Sequence, residues 1–338
     1  MKRLTVAGRL LITALVIAAI FVGYKYFGGQ QALEKVAKEQ KSEIDSTATT
    51  TESSEGTAAA TNENPATEAS SKSFSYTSPE PVDGKLKGVV ELGASGFNSF
   101  IIKVDSQKRW KLEKSEFGNS LVTENMATDE DVRIGLKKYI GSMLDYGVGK
   151  KDIHFVVSSG AAKADVTTKI TSALKSLGYI VNQVTPEQEG QLGLKSVLPA
   201  GYANKAFVVD IGSGNTKISW IAGSGIKALE SYGAKYFQDG TDDKKVYDEV
   251  GAKAKQIPSD LRKTAFIIGG VPFEMAKEVR KDKERYTVLS APSGYTKLTN
   301  AKSKAGVNIY KAVADATGCQ EFVFDWDANF TIGFLLTL

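Results

Sequence analysis

Residues 206 to 218 read Ala-Phe-Val-Val-Asp-Ile-Gly-Ser-Gly-Asn-Thr-Lys-Ile, an apolar segment that runs through an acid into a turn of small residues. The apolar segment is typical of a buried strand, and the turn residues tolerate the backbone conformations of a tight loop. A related string, Gly88 to Lys103, again places an acid between an apolar segment and a Gly/Ser turn. We therefore predict two β-hairpins, each with a carboxylate, Glu91 or Asp210, at the mouth of its loop.

Two such hairpins that faced each other would form a clamp for a phosphate chain. Convergent backbone N–H groups bind anions, and a divalent cation can bridge carboxylates to phosphate. For either loop alone an ordinary hairpin turn is the favoured interpretation, and it is the duplication that favours a functional one. Neither loop ends in Gly-Lys-Ser/Thr and no helix begins directly at the glycines, which excludes a P-loop and a dinucleotide fingerprint.

The two strings resemble the phosphate-binding loops of the actin-like ATPase superfamily, and more narrowly those of the exopolyphosphatase/guanosine pentaphosphate phosphohydrolase (Ppx/GppA) family. The usual loops of that family, Asp-Leu-Gly-Ser-Asn-Ser-Phe and Asp-Ile-Gly-Gly-Gly-Ser-Thr-Glu, are matched by residues 91–97 and 210–217. The resemblance covers about residues 86 to 338. The other segments that match, in chain order, are residues 155–163, 185–192 and 266–271.

The resemblance implies an α/β chain with two RNase H-like (actin-like ATPase) domains around a cleft. Strand and helix patterns after each hairpin fit such halves, among them a helix predicted at Asp129 to Tyr146 and a strand predicted at Thr264 to Ile268. We expect one transmembrane helix and a disordered linker before them, because the linker has almost no large apolar residue to bury. The predicted parts are the cytoplasmic N-terminus and anchor 1–29, the linker 30–82, domain I 83–205 and domain II 206–338.

The resemblance also assigns roles to residues in the cleft. Glu91 and Asp210 would hold Mg²⁺, and Glu189 would act as the base that activates water for attack on the terminal phosphate of polyphosphate or a nucleoside polyphosphate. A carboxylate can do this if it lies within hydrogen-bond reach of the water. The residues that would contact phosphate are Gly93, Ala94, Ser95, Gly96, Lys163, Gly212, Ser213, Gly214, Asn215, Thr216, Lys217, Gly269 and Gly270.

The segment around Glu189 can also be read without the resemblance. Thr185 suits a helix N-cap, and Gln188 three residues later completes a capping box. Gly190 and Gly193 each cost about 1 kcal/mol of helix propensity relative to Ala, which indicates that room is kept beside the Glu189 carboxylate. An ordinary acid in the first turn of a solvated helix remains the alternative.

Several residues depart from the family pattern. Lys217 stands where the family has a Glu, and so either pairs directly with phosphate or abolishes the metal site. Lys163 replaces an Arg, which loses bidentate phosphate recognition. Two function classes therefore stay open: a phosphohydrolase, which we favour, and a catalytically degenerate phosphate- or nucleotide-binding scaffold that acts through protein partners or a homo-oligomer.

The N-terminus predicts a membrane anchor. Leu10 to Phe27 is apolar up to Tyr24, and Lys2, Arg3 and Arg9 precede it without an acid. This length just spans a bilayer. A cleaved signal peptide is the alternative, but no clean Ala-x-Ala cleavage site follows the apolar run. A short basic N-terminus usually stays in the cytoplasm, so we expect a single-pass protein of a bacterial inner membrane with an extracytoplasmic globular part.

Composition excludes other classes. The 43 Lys and Arg are interspersed with 39 Asp and Glu, a net charge of +4, so nothing indicates a nucleic-acid partner. The single histidine, His154, and the single cysteine, Cys319, exclude a thiolate zinc site and make a His-based triad unconvincing. We expect both to be packed side chains. We also expect Asp325-Trp326-Asp327 to form an exposed acidic turn.

Overall fold

The computed structural model describes residues 74–93, 96–117, 129–162 and 165–338. These residues belong to one compact unit, Ser70–Leu338, which contains two β-sheets. The strands of the first sheet are β1 Lys85–Gly93, β2 Gly96–Val104, β3 Trp110–Phe117, β4 Ile153–Val157 and β5 Val181–Gln183. Those of the second are β6 Ala206–Ile211, β7 Asn215–Ala222, β8 Gly225–Tyr232, β9 Thr264–Ile268, β10 Tyr286–Val288 and β11 Phe322–Asp325.

Helices cover both sheets. Those of the first half of the chain are α1 Asp129–Asp145, α2 Asp165–Ser176 and α3 Pro186–Val197. Those of the second half are α4 Asp243–Ala254, α5 Gly270–Val279, α6 Ala301–Thr317 and α7 Phe330–Leu335. The helices α3 and α7 pack on each other, α3 against β7 and β8 and α7 against β1. They therefore form the layer that joins the two sheets.

The two sheets repeat one arrangement. The order is β3-β2-β1-β4-β5 in the first and β10-β11-β9-β6-β7-β8 in the second. In each sheet three consecutive antiparallel strands form a meander, β1 to β3 in the first sheet and β6 to β8 in the second. The first strand of each meander also pairs in parallel with a later strand, β1 with β4 and β6 with β9. The chain is thus a mixed α/β protein with two sheets, consistent with the two actin-like domains expected from the duplicated strings.

Sequence patterns explain where the core lies. All six residues of β6 and all five of β9 are buried, as expected of parallel strands covered on both faces. The helices α4, α5 and α6 pack on one face of the second sheet, where Phe207, Ile267 and Tyr310 are among the buried residues. Helix α3 packs on the other face of the second sheet. This burial holds the ends of β6 and β9, and the loops that follow them, in fixed positions.

Most predicted elements are present with shifts at their ends. The helix expected from Asp129 is α1, the strand expected at Thr264 to Ile268 is β9, and Cys319 is buried as predicted. The predicted exposed acidic turn is wrong. Asp325 is 1% exposed and accepts two hydrogen bonds, each of 3.1 Å, from Arg285. A charge-paired acid can be buried, and the local sequence did not reveal a partner 40 residues away.

The end of the predicted linker also differs from the expectation. Residues 74–82 have no regular structure, but Phe74 packs its ring against Tyr202, Phe266 and Tyr286. Tyr76 packs on the same group. Such aromatic contacts bury enough apolar surface to order a short segment. The globular part therefore begins before residue 83.

The predicted anchor, Leu10 to Phe27, lies outside the described residues. Within the residues that the structure describes, no helix has both the length and the apolar character needed to cross a bilayer. The anchor, the membrane side and the boundary between the two predicted domains therefore stay predictions.

Candidate functional site

Both acid-headed hairpins open into one cleft of about 600 Å³ between the sheets. Glu91 at the end of β1 and Asp210 at the end of β6 line it together with Glu189 of α3. The carboxyl end of a strand that pairs in parallel is where ligands bind in open α/β sheets. The three carboxylates that the sequence placed far apart therefore share a single cavity, as the clamp requires.

Each acid faces a polar residue across its own hairpin. Glu91 pairs with Asn98 in the register of β1 and β2, and Asp210 pairs with Lys217 in that of β6 and β7. The Asn98 Nδ2 donates to Glu91 Oε2 at 3.0 Å, and Asn329 Nδ2 donates to the same oxygen at 3.1 Å. The first hairpin therefore holds its acid with neutral amides, and the second with an ammonium group.

A capping box sets the start of α3. The Gln188 backbone N–H donates to Thr185 Oγ1 at 3.2 Å, and the Thr185 N–H donates to Gln188 Oε1 at 2.9 Å, as predicted.

The glycine after Glu189 does not keep free space beside the carboxylate, as the sequence had suggested. A Cβ on Gly190 would lie 2.9 Å from Ala228 Cβ and 3.2 Å from Lys217 Cβ. Gly190 therefore lets α3 approach the sheet closely, next to Lys217.

Both oxygens of the Glu189 carboxylate have donors. Oε2 accepts hydrogen bonds from the Ser159 backbone N–H at 2.9 Å and from Ser159 Oγ at 2.5 Å, and Oε1 accepts one from Lys217 Nζ. The amide of Asn215, in the second hairpin, donates to Ser159 Oγ at 2.9 Å. One network thus connects the second loop, the loop after β4 and α3.

Lys217 is buried among carboxylates. Its side chain is 3% exposed, and Nζ lies 3.8 Å from Asp210 Oδ2 as well as contacting Glu189. Burial alone would lower the pKa of Lys217, but the neighbouring Asp210 and Glu189 carboxylates raise it. Burial raises the pKa of Asp210, and Lys217 opposes that rise. The lysine is therefore held as an ammonium group.

These side chains do not fit the Mg²⁺ expected from the resemblance. The ammonium group of Lys217 takes the position between Asp210 and Glu189 that a cation would need. Glu91 already accepts from two amides. In the part of the chain that the structure describes, no group of three His, Cys, Asp or Glu side chains is arranged to hold a metal ion.

The predicted phosphate contacts are mostly at the cleft. The predicted contacts that line it are Gly93, Gly212, Ser213, Gly214, Asn215, Lys217, Gly269 and Gly270. Thr216 does not line it and is fully buried, because neighbouring residues of a strand point to opposite faces. Gly96 begins β2. Ala94, Ser95 and Lys163 lie outside the described residues.

The late Gly-Gly pair forms the start of α5 beside the second loop. Gly269 has φ 111°, and a Cβ there would lie 2.3 Å from the Ile211 carbonyl oxygen, so only glycine fits. No side chain caps the helix at Gly269. The first N–H groups of α5 and its positive dipole end therefore stand at the cleft, where an anion is favoured.

Sequence analysis missed several residues of the site. Ser159 and Asn329, which hold Glu189 and Glu91, are polar residues without a local motif. One end of the cleft is aromatic: Phe273 and Trp326 line it with ring centroids 5.3 Å apart. Lys302, in the first turn of α6, lines it too. These residues come from distant parts of the chain and no spacing pattern connects them.

The buried Glu91 carboxyl group predicts a pH-dependent stability. Burial raises its pKa from 4.5 to about 7, against the opposing effect of the Asn98 amide. As pH rises, the unfolded chain loses this proton at a lower pH than the folded chain does. The free energy of unfolding should therefore fall between about pH 4.5 and 7. We expect Glu91→Gln to be more stable than the wild type at pH 8, by about 3 kcal/mol, with the difference vanishing at pH 4. Calorimetric unfolding at both pH values measures this, and a gain that does not depend on pH would contradict it.

Comparison with known structures identifies the fold. A Ppx/GppA phosphatase from Aquifex aeolicus gives a TM-score of 0.56 at 15% identity, over 75% of this chain and 98% of that one. An exopolyphosphatase from Cytophaga hutchinsonii gives a TM-score of 0.58 at 15% identity, over 75% of this chain and 97% of that one. An exopolyphosphatase-like protein gives a TM-score of 0.57 at 13% identity, over 76% of this chain and 98% of that one. No family model matches the chain, and no curated protein sequence does.

At these identities the comparison shows the fold, which extends over nearly the whole length of the matched structures. The chain has the fold of the Ppx/GppA proteins, as the two acid-headed strings predicted. The activity of those proteins is a separate matter and depends on the residues of this cleft.

Proposed function

We propose that this protein is a phosphohydrolase of the Ppx/GppA type, which removes the terminal phosphate from polyphosphate or a nucleoside polyphosphate. The observation that carries the proposal is the position of Glu189. This carboxylate, which matches the base of the family, lines the same cleft as both acid-headed hairpins. The similarity of fold to an exopolyphosphatase supports the assignment.

The chain's own groups suggest how the reaction would proceed. Backbone N–H groups of the loop at Gly212 to Gly214 and the first N–H groups of α5 would hold the phosphate oxygens. A water molecule between Glu189 and the terminal phosphorus would donate its proton to the carboxylate as its oxygen bonds to that phosphorus. The bond from the phosphorus to the bridging oxygen would break, so that inorganic phosphate and the shortened chain are released. Phosphoryl transfer needs little covalent chemistry from the protein, so positioning and charge neutralisation would supply most of the rate.

Substrate choice depends on the two ends of the cleft. The loop end offers backbone N–H groups suited to phosphate, and either substrate class would use it. The aromatic end, with Phe273 and Trp326, could stack a nucleobase, which inorganic polyphosphate lacks. Nucleoside polyphosphates and inorganic polyphosphate are therefore separate arms of the assay below.

The proposal places the enzyme at a membrane. Leu10 to Phe27 would anchor it in a bacterial inner membrane, with the linker spacing the globular part from the bilayer and the active site outside the cytoplasm. A reporter that is active on only one side of the membrane, fused after Leu338, tests the orientation. Activity of a cytoplasmic reporter would contradict it.

A second candidate function is phosphate binding without turnover. The observation that favours it is the ion pair between Lys217 and Glu189, because both oxygens of the expected base already have donors within the protein. Such a module would act as a scaffold through protein partners. The second hairpin and the start of α5 would still hold an anion.

Phosphate release separates the two candidates. Full-length protein, purified in detergent because of the predicted anchor, is incubated with long-chain polyphosphate, tripolyphosphate, and guanosine and adenosine polyphosphates, and inorganic phosphate is measured. The phosphohydrolase should release phosphate from at least one of them. Saturable binding without release across the whole panel would contradict hydrolysis and support the scaffold.

A further inference from the structure

The ammonium group of Lys217 lies inside the carboxylate cluster of the cleft, which comprises Glu91, Glu189 and Asp210. Lys217 Nζ contacts Glu189 Oε1 and lies 3.8 Å from Asp210 Oδ2. The side chains of Lys217, Glu189 and Asp210 are 3%, 4% and 11% exposed, so water screens these charges little. Glu91, on the facing hairpin, is close enough to raise the pKa of Lys217 as well.

The backbone fixes the ammonium group in this position. Lys217 stands directly opposite Asp210 in the register of β6 and β7, on the face of the sheet that lines the cleft. Its Cβ would be only 3.2 Å from a Cβ on Gly190, so α3 lies on the stem of the side chain. A lysine enclosed on two sides has little freedom to leave the cluster and expose a metal site.

We propose that the ammonium group of Lys217 is the built-in cation of this cleft and takes the place of a divalent metal ion beside Asp210 and Glu189. The consequence for phosphate binding rests on the function proposed above, whereas the consequence for metal binding does not. A divalent ion beside these two carboxylates would be repelled by the ammonium group at short range. The wild-type cluster therefore binds no resident divalent ion, and its loops bind phosphate without a metal bridge.

Removal of the lysine charge should convert the cluster into a metal site. In Lys217→Met the stem of the side chain is kept approximately, while Asp210, Glu189 and Glu91 lose their cation. Asp210 Oδ2 and Glu189 Oε1 would then lose the cation that they share, and carboxylate oxygens suit a hard divalent ion. If Lys217 instead formed an ordinary structural ion pair and did not occupy a cation position, Lys217→Met would leave carboxylates that cannot share a metal ion.

Manganese binding tests this without any phosphate substrate. Free Mn²⁺ is titrated into full-length protein and followed by its electron paramagnetic resonance signal. We expect no stoichiometric binding by the wild type or Lys217→Arg, and one ion per chain in Lys217→Met, at least about tenfold tighter than in the wild type. Adding Asp210→Asn to Lys217→Met should abolish the binding. Lys195→Met, which removes an exposed lysine of α3, the helix that packs against Lys217, is the matched control.

Two outcomes would overturn the inference. One is a wild type that binds one Mn²⁺ per chain and loses it in Asp210→Asn, because a metal would then coexist with Lys217. The other is a Lys217→Met that is folded by circular dichroism and binds no Mn²⁺. Lys217→Gln serves as the second variant if Lys217→Met does not fold, with the same expected binding. None of these readouts depends on phosphate hydrolysis, so failure of the proposed function would be seen separately.

Discussion

Lys217→Met should lower the stability of the protein by about 3 to 5 kcal/mol, because it leaves Glu189 and Asp210 as buried carboxylates without their counter-charge. In a chain of this size the melting temperature should fall by about 10 °C. Thermal unfolding of full-length protein in a buffer with a chelator measures the effect. The exposed Lys195, replaced in the same way, should shift the melting temperature by less than about 2 °C.

A double substitution separates the charge effect from loss of packing. In Lys217→Met with Glu189→Gln, the strongest partner of the missing ammonium group is neutral, so the loss should be smaller than the sum of the two single losses. Losses that simply add would show that the two side chains do not interact. A Lys217→Met protein as stable as the Lys195→Met control would contradict the buried ion pair itself.

Glu189→Gln should reduce phosphate release by about 10² to 10⁴ fold, because the amide cannot take the proton of the attacking water. The amide has one acceptor oxygen and can accept from Lys217 or from Ser159 but not from both, so the melting temperature of the variant must be measured beside its rate. The matched control is Glu187→Gln, which alters an exposed acid of the first turn of the same helix and should leave the rate unchanged. Phosphate release at saturating substrate measures both.

Binding must be measured alongside this rate. Glu189→Gln should bind tripolyphosphate at least as well as the wild type, since one negative charge has been removed near the anion. A variant that retains most of the wild-type rate would contradict the role of Glu189 as base. A variant that loses binding and rate together would show that Glu189 positions the loops, since it also holds Ser159.

Local features of the chain were predictable from the sequence. The capping box at Thr185, the buried run at Thr264 to Ile268 and the two hairpins depend on residues within a few positions of each other. Short-range rules of capping, hydrophobic pattern and turn chemistry are sufficient for such elements. The shared cleft followed from the duplicated string, because two similar halves place equivalent loops at equivalent sheet ends.

The contacts that decide the chemistry were not predictable, because they join distant residues. Asn329 is 238 residues from Glu91, and Ser159 is 30 residues from Glu189. The sequence raised the question of Lys217 but left two answers open, phosphate pairing or a lost metal site. Only the close packing of α3 through Gly190 shows that its nearest partner is Glu189. Asp325 was misread for the same reason, since Arg285 was not visible as its partner.

Calorimetric titration of tripolyphosphate into full-length protein, in the presence of a chelator, tests most directly whether the paired loops form an anion site. The wild type should bind one tripolyphosphate per chain. Ser213→Asp, which adds a carboxylate to the second loop, should weaken binding by about tenfold or more. Ser224→Asp, the same change at the exposed tip of the next hairpin, should leave the affinity unchanged. Equal affinity of the wild type and both variants, or a wild type that binds no tripolyphosphate, would contradict the account.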